Sequence, residues 1–138
     1  MKAKNYDSLF KHKKLIESNP MHIATVLERE REREREVAPN LAVASDVRVI
    51  DDDKIIISVN EMINTQKNIQ RNPNVVMTSF DKDWVGLRMF GIAKFYQDGE
   101  YYDFCEKTFF GNHEVTPCGA TKPKGAIVVT VYDVQDFK

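Results

Sequence analysis

The sequence predicts a mainly β protein, a six-stranded antiparallel barrel with short helices at its edges, from three observations. Apolar residues alternate with a period of two over 41–50, and an apolar run fills 54–60. Asp-rich turns punctuate the chain at 51–53 and 81–83.

Residues 7–18 read as a first helix. Leu9, Phe10 and Ile16 recur at helical spacing, and Asn19-Pro20 ends the run. A short apolar strand follows at 22–27. Over 41–50, Leu41, Val43, Val47 and Val49 face one way, with Ser45 among them. Ala42, Ala44, Asp46, Arg48 and Ile50 face the other. The turn at 51–53 leads into 54–60, where Ile55-Ile56-Ile57 points to a strand covered on both faces. Residues 22–60 are thus expected to form a three-stranded meander. A short helix is expected at 64–72, with Asn64 or Thr65 at its cap and Pro73 closing it. Strands at 75–80 and 85–96 flank the second Asp turn. A helix from 100 to about 109 takes its apolar side from Tyr101, Tyr102, Phe104, Cys105 and Phe109. A loop rich in Gly, Pro and Thr (111–125) leads to a last strand at 126–132.

The 138 residues suit one domain over 1–138, with 42% hydrophobic and 30% charged residues in an ordinary globular balance. A net charge of −1 leaves no basic footprint for nucleic acid. The longest apolar run, 126–132, is far short of the roughly 20 residues that span a bilayer. The basic start, Met1-Lys2-Ala3-Lys4, is followed by no apolar stretch of the signal-peptide kind, so a cytoplasmic address is expected. Cys105 and Cys118 read as two reduced thiols rather than a disulfide scaffold.

Glu28–Glu36 alternates Glu and Arg without interruption. A helix would place like charges four residues apart. A strand would put all five Glu on one face and all four Arg on the other. A charged hairpin extension projecting into water is expected, serving as a solvated spacer or as a docking arm.

His12, His22 and His113 show no metal spacing, and Cys105, His113 and Cys118 lack a fourth ligand, so no metal site is expected. No nucleophile elbow, P-loop or dinucleotide fingerprint occurs among the six glycines. The stretch 54–75 carries more information, because a buried strand runs through a polar turn into a helix. A helix start leaves N–H groups unpaired and carries partial positive charge, so a phosphate can dock there. Asn64 and Thr65 are either donors to such a phosphate or plain caps. Lys67 falls in the first turn, where the helix dipole disfavours a cation unless an anion sits nearby. Ser45, on an otherwise apolar face, marks either a bulge with a hydroxyl bonded to backbone or contact with a flat, polar-edged ligand.

Four segments together resemble the pyridoxamine 5′-phosphate oxidase-like FMN-binding split-barrel family, in particular its short FMN-binding proteins. They are PNLAVASDVRVIDDDKIIISVNEM (39–62), NTQKNIQRNPNVVMTSFD (64–81), LRMFGIAKFYQDGEYYDFC (87–105) and KGAIVVTVYDV (124–134). The resemblance implies a six-stranded split barrel that binds FMN at a homodimer interface. By position, Ser45 and Asp46 would border the isoalloxazine ring, and Ser58, Val59 and Asn60 would line its edge, largely through backbone groups. Asn64 and Thr65 would hold the phosphate, and Asn68 fills a recurrent Asn position. The partner chain would contribute from around Trp84 and from Lys122. Asn64 and Thr65 replace the Lys or Arg usual at one or both positions. No Arg-bearing segment follows the last strand to handle a vitamin B6 substrate, so that chemistry is not expected. The implied function is flavin redox chemistry, by an oxidoreductase or electron carrier with no acid/base residue singled out. The alternatives are a non-catalytic module that binds or senses a flavin or haem, and a homodimer without cofactor.

Overall fold

β-branched residues in alternating and unbroken runs fold much of this chain into strands. The computed structural model describes residues 4–111 and 122–137. A 3₁₀ turn at Leu9–His12 leads into α1 (Lys13–Ser18), then β1 (Met21–Arg31), β2 (Glu34–Ala44), β3 (Val47–Asp51) and β4 (Lys54–Val59). Next come α2 (Ile63–Arg71), β5 (Asn74–Phe80), β6 (Gly86–Tyr96), α3 (Glu100–Phe110) and β7 (Gly125–Phe137). The strands form one antiparallel sheet in the order β2-β1-β5-β6-β7-β4-β3. Among the described residues no helix is long and apolar enough to cross a membrane.

The sheet order requires curvature. β2 and β3 stand at opposite ends of the sheet, yet only Ser45 and Asp46 separate them in the chain. Laid flat, the outer strands would lie roughly 29 Å apart at about 4.8 Å per strand. Three peptide steps reach about 11 Å at most. The sheet must therefore curl until its edges approach, as in a barrel.

Seven strands form rather than six, because the run 41–50 divides. Its break at Ser45-Asp46 also overturns the expected single apolar face. Leu41 and Val43 are 66% and 57% exposed, whereas Ala44, Val47 and Val49 are buried. The step from Ala44 to Val47 is an odd number of residues, so the inward face passes from even to odd positions. Nor do residues 22–60 form a meander: β2 pairs only with β1, and β3 only with β4.

Ile55, Ile56 and Ile57 are fully buried, as a strand covered on both faces requires. Ile55 and Ile57 join the barrel interior with Val47, Val49, Ile127 and Val129. Ile56 faces the other way, packing with Cys105, Ala126 and Val128 beneath α3. The first helix is half 3₁₀; Leu9 and Ile16 are buried, but Phe10 is exposed rather than part of the apolar face. Gly91 marks a register shift between β6 and β7. A Cβ there would lie 2.5 Å from Val129 Cγ1 and 2.8 Å from the Thr130 carbonyl oxygen, so the close approach requires glycine.

The Glu/Arg run is the outer part of the β1–β2 hairpin, with Glu32 and Arg33 in the left-handed region at φ 53° and 69°. The expected segregation of Glu and Arg onto opposite faces does not occur. Glu holds even positions and Arg odd ones, and a two-residue turn pairs each even position with an odd one. The rungs are Arg29↔Glu36, Glu30↔Arg35 and Arg31↔Glu34. On the backbone each of these rungs sets a Glu position opposite an Arg position, and a one-residue slip would set like residue types opposite each other. At the base, Arg35 Nη2 lies 2.7 Å from Glu28 Oε1, and Arg71 Nη1 donates to the Glu28 carbonyl at 2.7 Å. Replacing Glu32-Arg33 with Asn-Gly removes a left-handed cost of roughly 1–2 kcal/mol per residue. Amide hydrogen exchange across the ribbon is expected to slow by at least about thirtyfold with the register unchanged; faster exchange would contradict this.

Candidate functional site

Helix α2 begins one residue earlier than expected. Met62 occupies the cap position with no side-chain cap hydrogen bond, and Asn64 and Thr65 are the second and third helical residues. The first backbone bond closes from Gln66 N to Met62 O at 3.0 Å, leaving the N–H groups before it without helical partners. The helix is seated by a buried polar cluster. Asn68 Nδ2 donates to Thr25 Oγ1 at 3.1 Å, and Asn40 Nδ2 lies 3.3 Å from the same oxygen and 3.4 Å from Thr65 Oγ1. Thr25, Thr65 and Asn68 are all buried, which explains why polar groups there find one another.

This seating opens a cavity of about 490 Å³ at the start of α2. Asn40, Leu41 and Ala42 of β2 form one wall, and Glu61, Met62, Asn64 and Thr65 form the other. The β2 wall lies outside the candidate residues read from the sequence. Its signal is Asn40, a polar residue in a strand beside Pro39, whose missing N–H suits an edge.

A second polar group gathers where β4 ends. Ser58 N donates to the Asp46 carbonyl at 2.9 Å, Asn60 Nδ2 donates to Asp46 Oδ2 at 2.9 Å, and Ser58 Oγ donates to Asn60 Oδ1 at 3.0 Å. Cys105 lies behind it on α3, fully buried. Burial pushes its thiol up to about 12; a Ser58 hydrogen bond opposes the rise and the Asp46 carboxylate adds to it.

The candidate residues therefore separate. Asn64 and Thr65 share one cavity, and Asp46, Ser58 and Asn60 bind one another. Val59 is a core residue whose carbonyl accepts from Lys124 N at 2.7 Å. Asn68 has its amide nitrogen committed to Thr25. Ser45 is exposed in the break between β2 and β3, and Lys122 is exposed before β7. Trp84 stands in the β5–β6 turn, 63% exposed and in the left-handed region at φ 65°. Its ring stacks on Phe80 at 5.1 Å, which stacks on His22 at 5.6 Å. His113 and Cys118 lie outside the described residues.

A curled antiparallel sheet with a helix opening onto a cleft at its edge defines a β-barrel with a candidate binding cleft. A family model described as pyridoxamine 5′-phosphate oxidase matches residues 11–137, so the chain belongs to the pyridoxamine 5′-phosphate oxidase family and has its split-barrel fold. An uncharacterised protein of Methanocaldococcus jannaschii is 29% identical over 127 residues, covering 91% of this chain and 77% of its own. The structure of HupZ from Group A Streptococcus superposes with a TM-score of 0.73 at 23% identity, covering 92% of this chain and 91% of that one. An FMN-binding protein from Syntrophomonas wolfei superposes with a TM-score of 0.70 at 24% identity, covering 93% and 84%. At these identities the two structures establish the fold.

Proposed function

We propose that this protein is an FMN-binding flavoprotein, an oxidoreductase or electron carrier that works as a homodimer with the flavin at the subunit interface. The observation that carries this reading is the uncapped opening of α2, set against a β2 wall across an open cavity. Unpartnered N–H groups and the Asn64 amide suit a phosphate. The Asp46, Ser58 and Asn60 network supplies fixed donors and acceptors suited to the edge of an isoalloxazine ring, with Ser45 on its rim. A bound flavin supplies the hydride or electron chemistry, while the protein positions it and limits access of water.

The outer surface supports the dimer. Val37, Leu41 and Val43 line one exposed face of β2, and Val85 and Ile92 are exposed elsewhere on the barrel. Apolar surface of this kind suits burial against a second copy. Trp84 is held in a strained backbone conformation with its ring outward, as suits a residue offered to a partner's ligand. Purified protein is expected to be yellow and to release about one FMN per subunit on denaturation, identified by mass. A colourless preparation that takes up no added FMN would overturn the proposal. Bound flavin that resists every reductant tested would leave a binding module in place of a redox protein.

A further inference from the structure

Three aromatic rings stack in a column on the outer side of the sheet. His22 alternates with the core residues Met21 and Ile23 of β1, so its ring faces away from the barrel interior. It lies against Phe80 at the end of β5, with centroids 5.6 Å apart and planes 5° from parallel. Phe80 in turn stacks on Trp84 at 5.1 Å and 14°. Trp84 makes no other ring contact among the described residues and is mostly exposed, which leaves the far face of its indole open. The turn that carries it is tied down by Asp81. Asp81 Oδ1 accepts from Asp83 N at 2.8 Å and from Val85 N at 3.2 Å, and the Asp81 carbonyl accepts from Trp84 N at 3.1 Å.

Two features of the column run against local preference. Trp84 holds φ at 65°, a region that bulky residues avoid. His22 Nδ1 is buried with no hydrogen-bond partner, which is rare for a buried nitrogen. The imidazole is therefore kept for its plane and not for the bonds of that nitrogen. The surroundings point to what the open indole face meets. Trp84 does not line the cavity at the opening of α2 in its own chain, and β1 separates β2 from β5 in the sheet. Val85 is exposed beside Trp84, and Val43, paired with His22 in the ladder, is exposed at the other end of the column. Val43 shares its exposed face of β2 with Leu41, which lines that cavity. The column and the cavity mouth thus border one apolar surface, of the kind that two copies bury together.

We infer that the His22, Phe80 and Trp84 column is a preformed stacking platform for a flat heteroaromatic ring, the isoalloxazine held by a second copy. Trp84 touches the ring. Phe80 and His22 are positioning residues that hold the indole in place before the ring arrives. This rests on the flavin reading above and concerns the ring alone, leaving the phosphate to the cavity at α2. An indole plane stacks on a flat π-system without using the groups attached to it.

Trp84 is the only tryptophan in the chain, so its emission reports on the column alone. The test titrates the full chain with FMN and with riboflavin, and adds the emission anisotropy of Trp84 and gel filtration. Trp84→Ala is expected to weaken both flavins by the same factor, about tenfold, and to brighten the emission of bound flavin, which an indole in contact quenches. His22→Ala is expected to lower the anisotropy of Trp84 and to weaken both flavins about threefold. His22→Phe is expected to restore both readings, because a phenyl ring keeps the plane. If bound FMN is equally bright with and without Trp84, or if Trp84→Ala spares riboflavin, the inference falls while the flavin reading stands. The same holds if His22→Phe behaves as His22→Ala does, or if the contact persists in protein that runs as a single copy. Wild-type protein that binds neither flavin overturns the flavin reading and this inference with it.

Discussion

Raising the pH from 8 to 12 is expected to remove on the order of 4 kcal/mol of stability through one thiol, because each tenfold difference in proton affinity between folded and unfolded chain is worth about 1.36 kcal/mol. Cys105 is fully buried between Ile56, Ala126 and Val128, and burial raises its pKa from 9.0 to about 12. Above pH 9 the unfolded chain releases a proton that the folded protein keeps, so unfolding becomes progressively more favourable. The contribution is complete below the unfolded value and is lost as pH climbs through the folded one. Tyr6 acts in the same direction from about pH 10. Burial and then the Asp53 and Asp52 carboxylates push its phenol up to about 12, and its hydroxyl donates to the Val131 carbonyl at 2.6 Å. Urea unfolding of wild type and Cys105→Ala at several pH values between 8 and 12 separates Cys105 from the other groups. The variant is expected to show a much flatter alkaline fall, with the remainder shared by Tyr6, Tyr102 and Lys54, whose proton affinities are also raised in the folded protein. Identical slopes in the two proteins would mean that Cys105 does not carry the effect.

Ile57→Ala is expected to cost about 2–5 kcal/mol, a large share of the 5–15 kcal/mol that typically holds a domain folded. Ile57 is fully buried and sits on β4 between Val47 of β3 and Ile127 of β7. Truncation there opens a cavity that the flanking strands can close only by moving. Ser58 follows directly, so the same motion would disturb its bonds to Asp46 and Asn60. Ile57→Val should cost only about 0.5–1.5 kcal/mol, because it removes one methylene and keeps the β-branch. Denaturant midpoints check both variants. A loss below about 1 kcal/mol for Ile57→Ala would show that the barrel interior is not close-packed at β4.

Much of the local structure was legible because its causes are local. The triple Ile of β4 and the helix that carries Cys105 follow from side-chain period and turn chemistry, and the hairpin within the Glu/Arg run from its alternating charges. Cap chemistry alone puts the start of α2 one residue late. Asn64 and Thr65 are residue types that cap helices, but Met62 takes that position and Thr65 is drawn inward by Asn40. The cavity at that start was only half legible. Asn64 and Thr65 are neighbours in the chain, whereas Asn40, Leu41 and Ala42 reach them through the pairing of β2 with β1, which no short window of sequence contains.

The divided run at 41–50 shows where local reasoning stops. A two-residue period is the same on either side of Ser45-Asp46, so the pattern alone does not reveal that its halves belong to opposite ends of the sheet. By itself the sequence determined that the chain is built of strands, where its turns fall, and that Glu28–Glu36 alternates in charge. Only the tertiary structure decided that the outer strands curl toward each other, that each ribbon rung sets a Glu position opposite an Arg position, and that His22, Phe80 and Trp84 stack in one column. The reason is physical: period and turn preference act over a few residues. Which strand edges meet, and which side chains share a space, depends on how the whole sheet buries its apolar face.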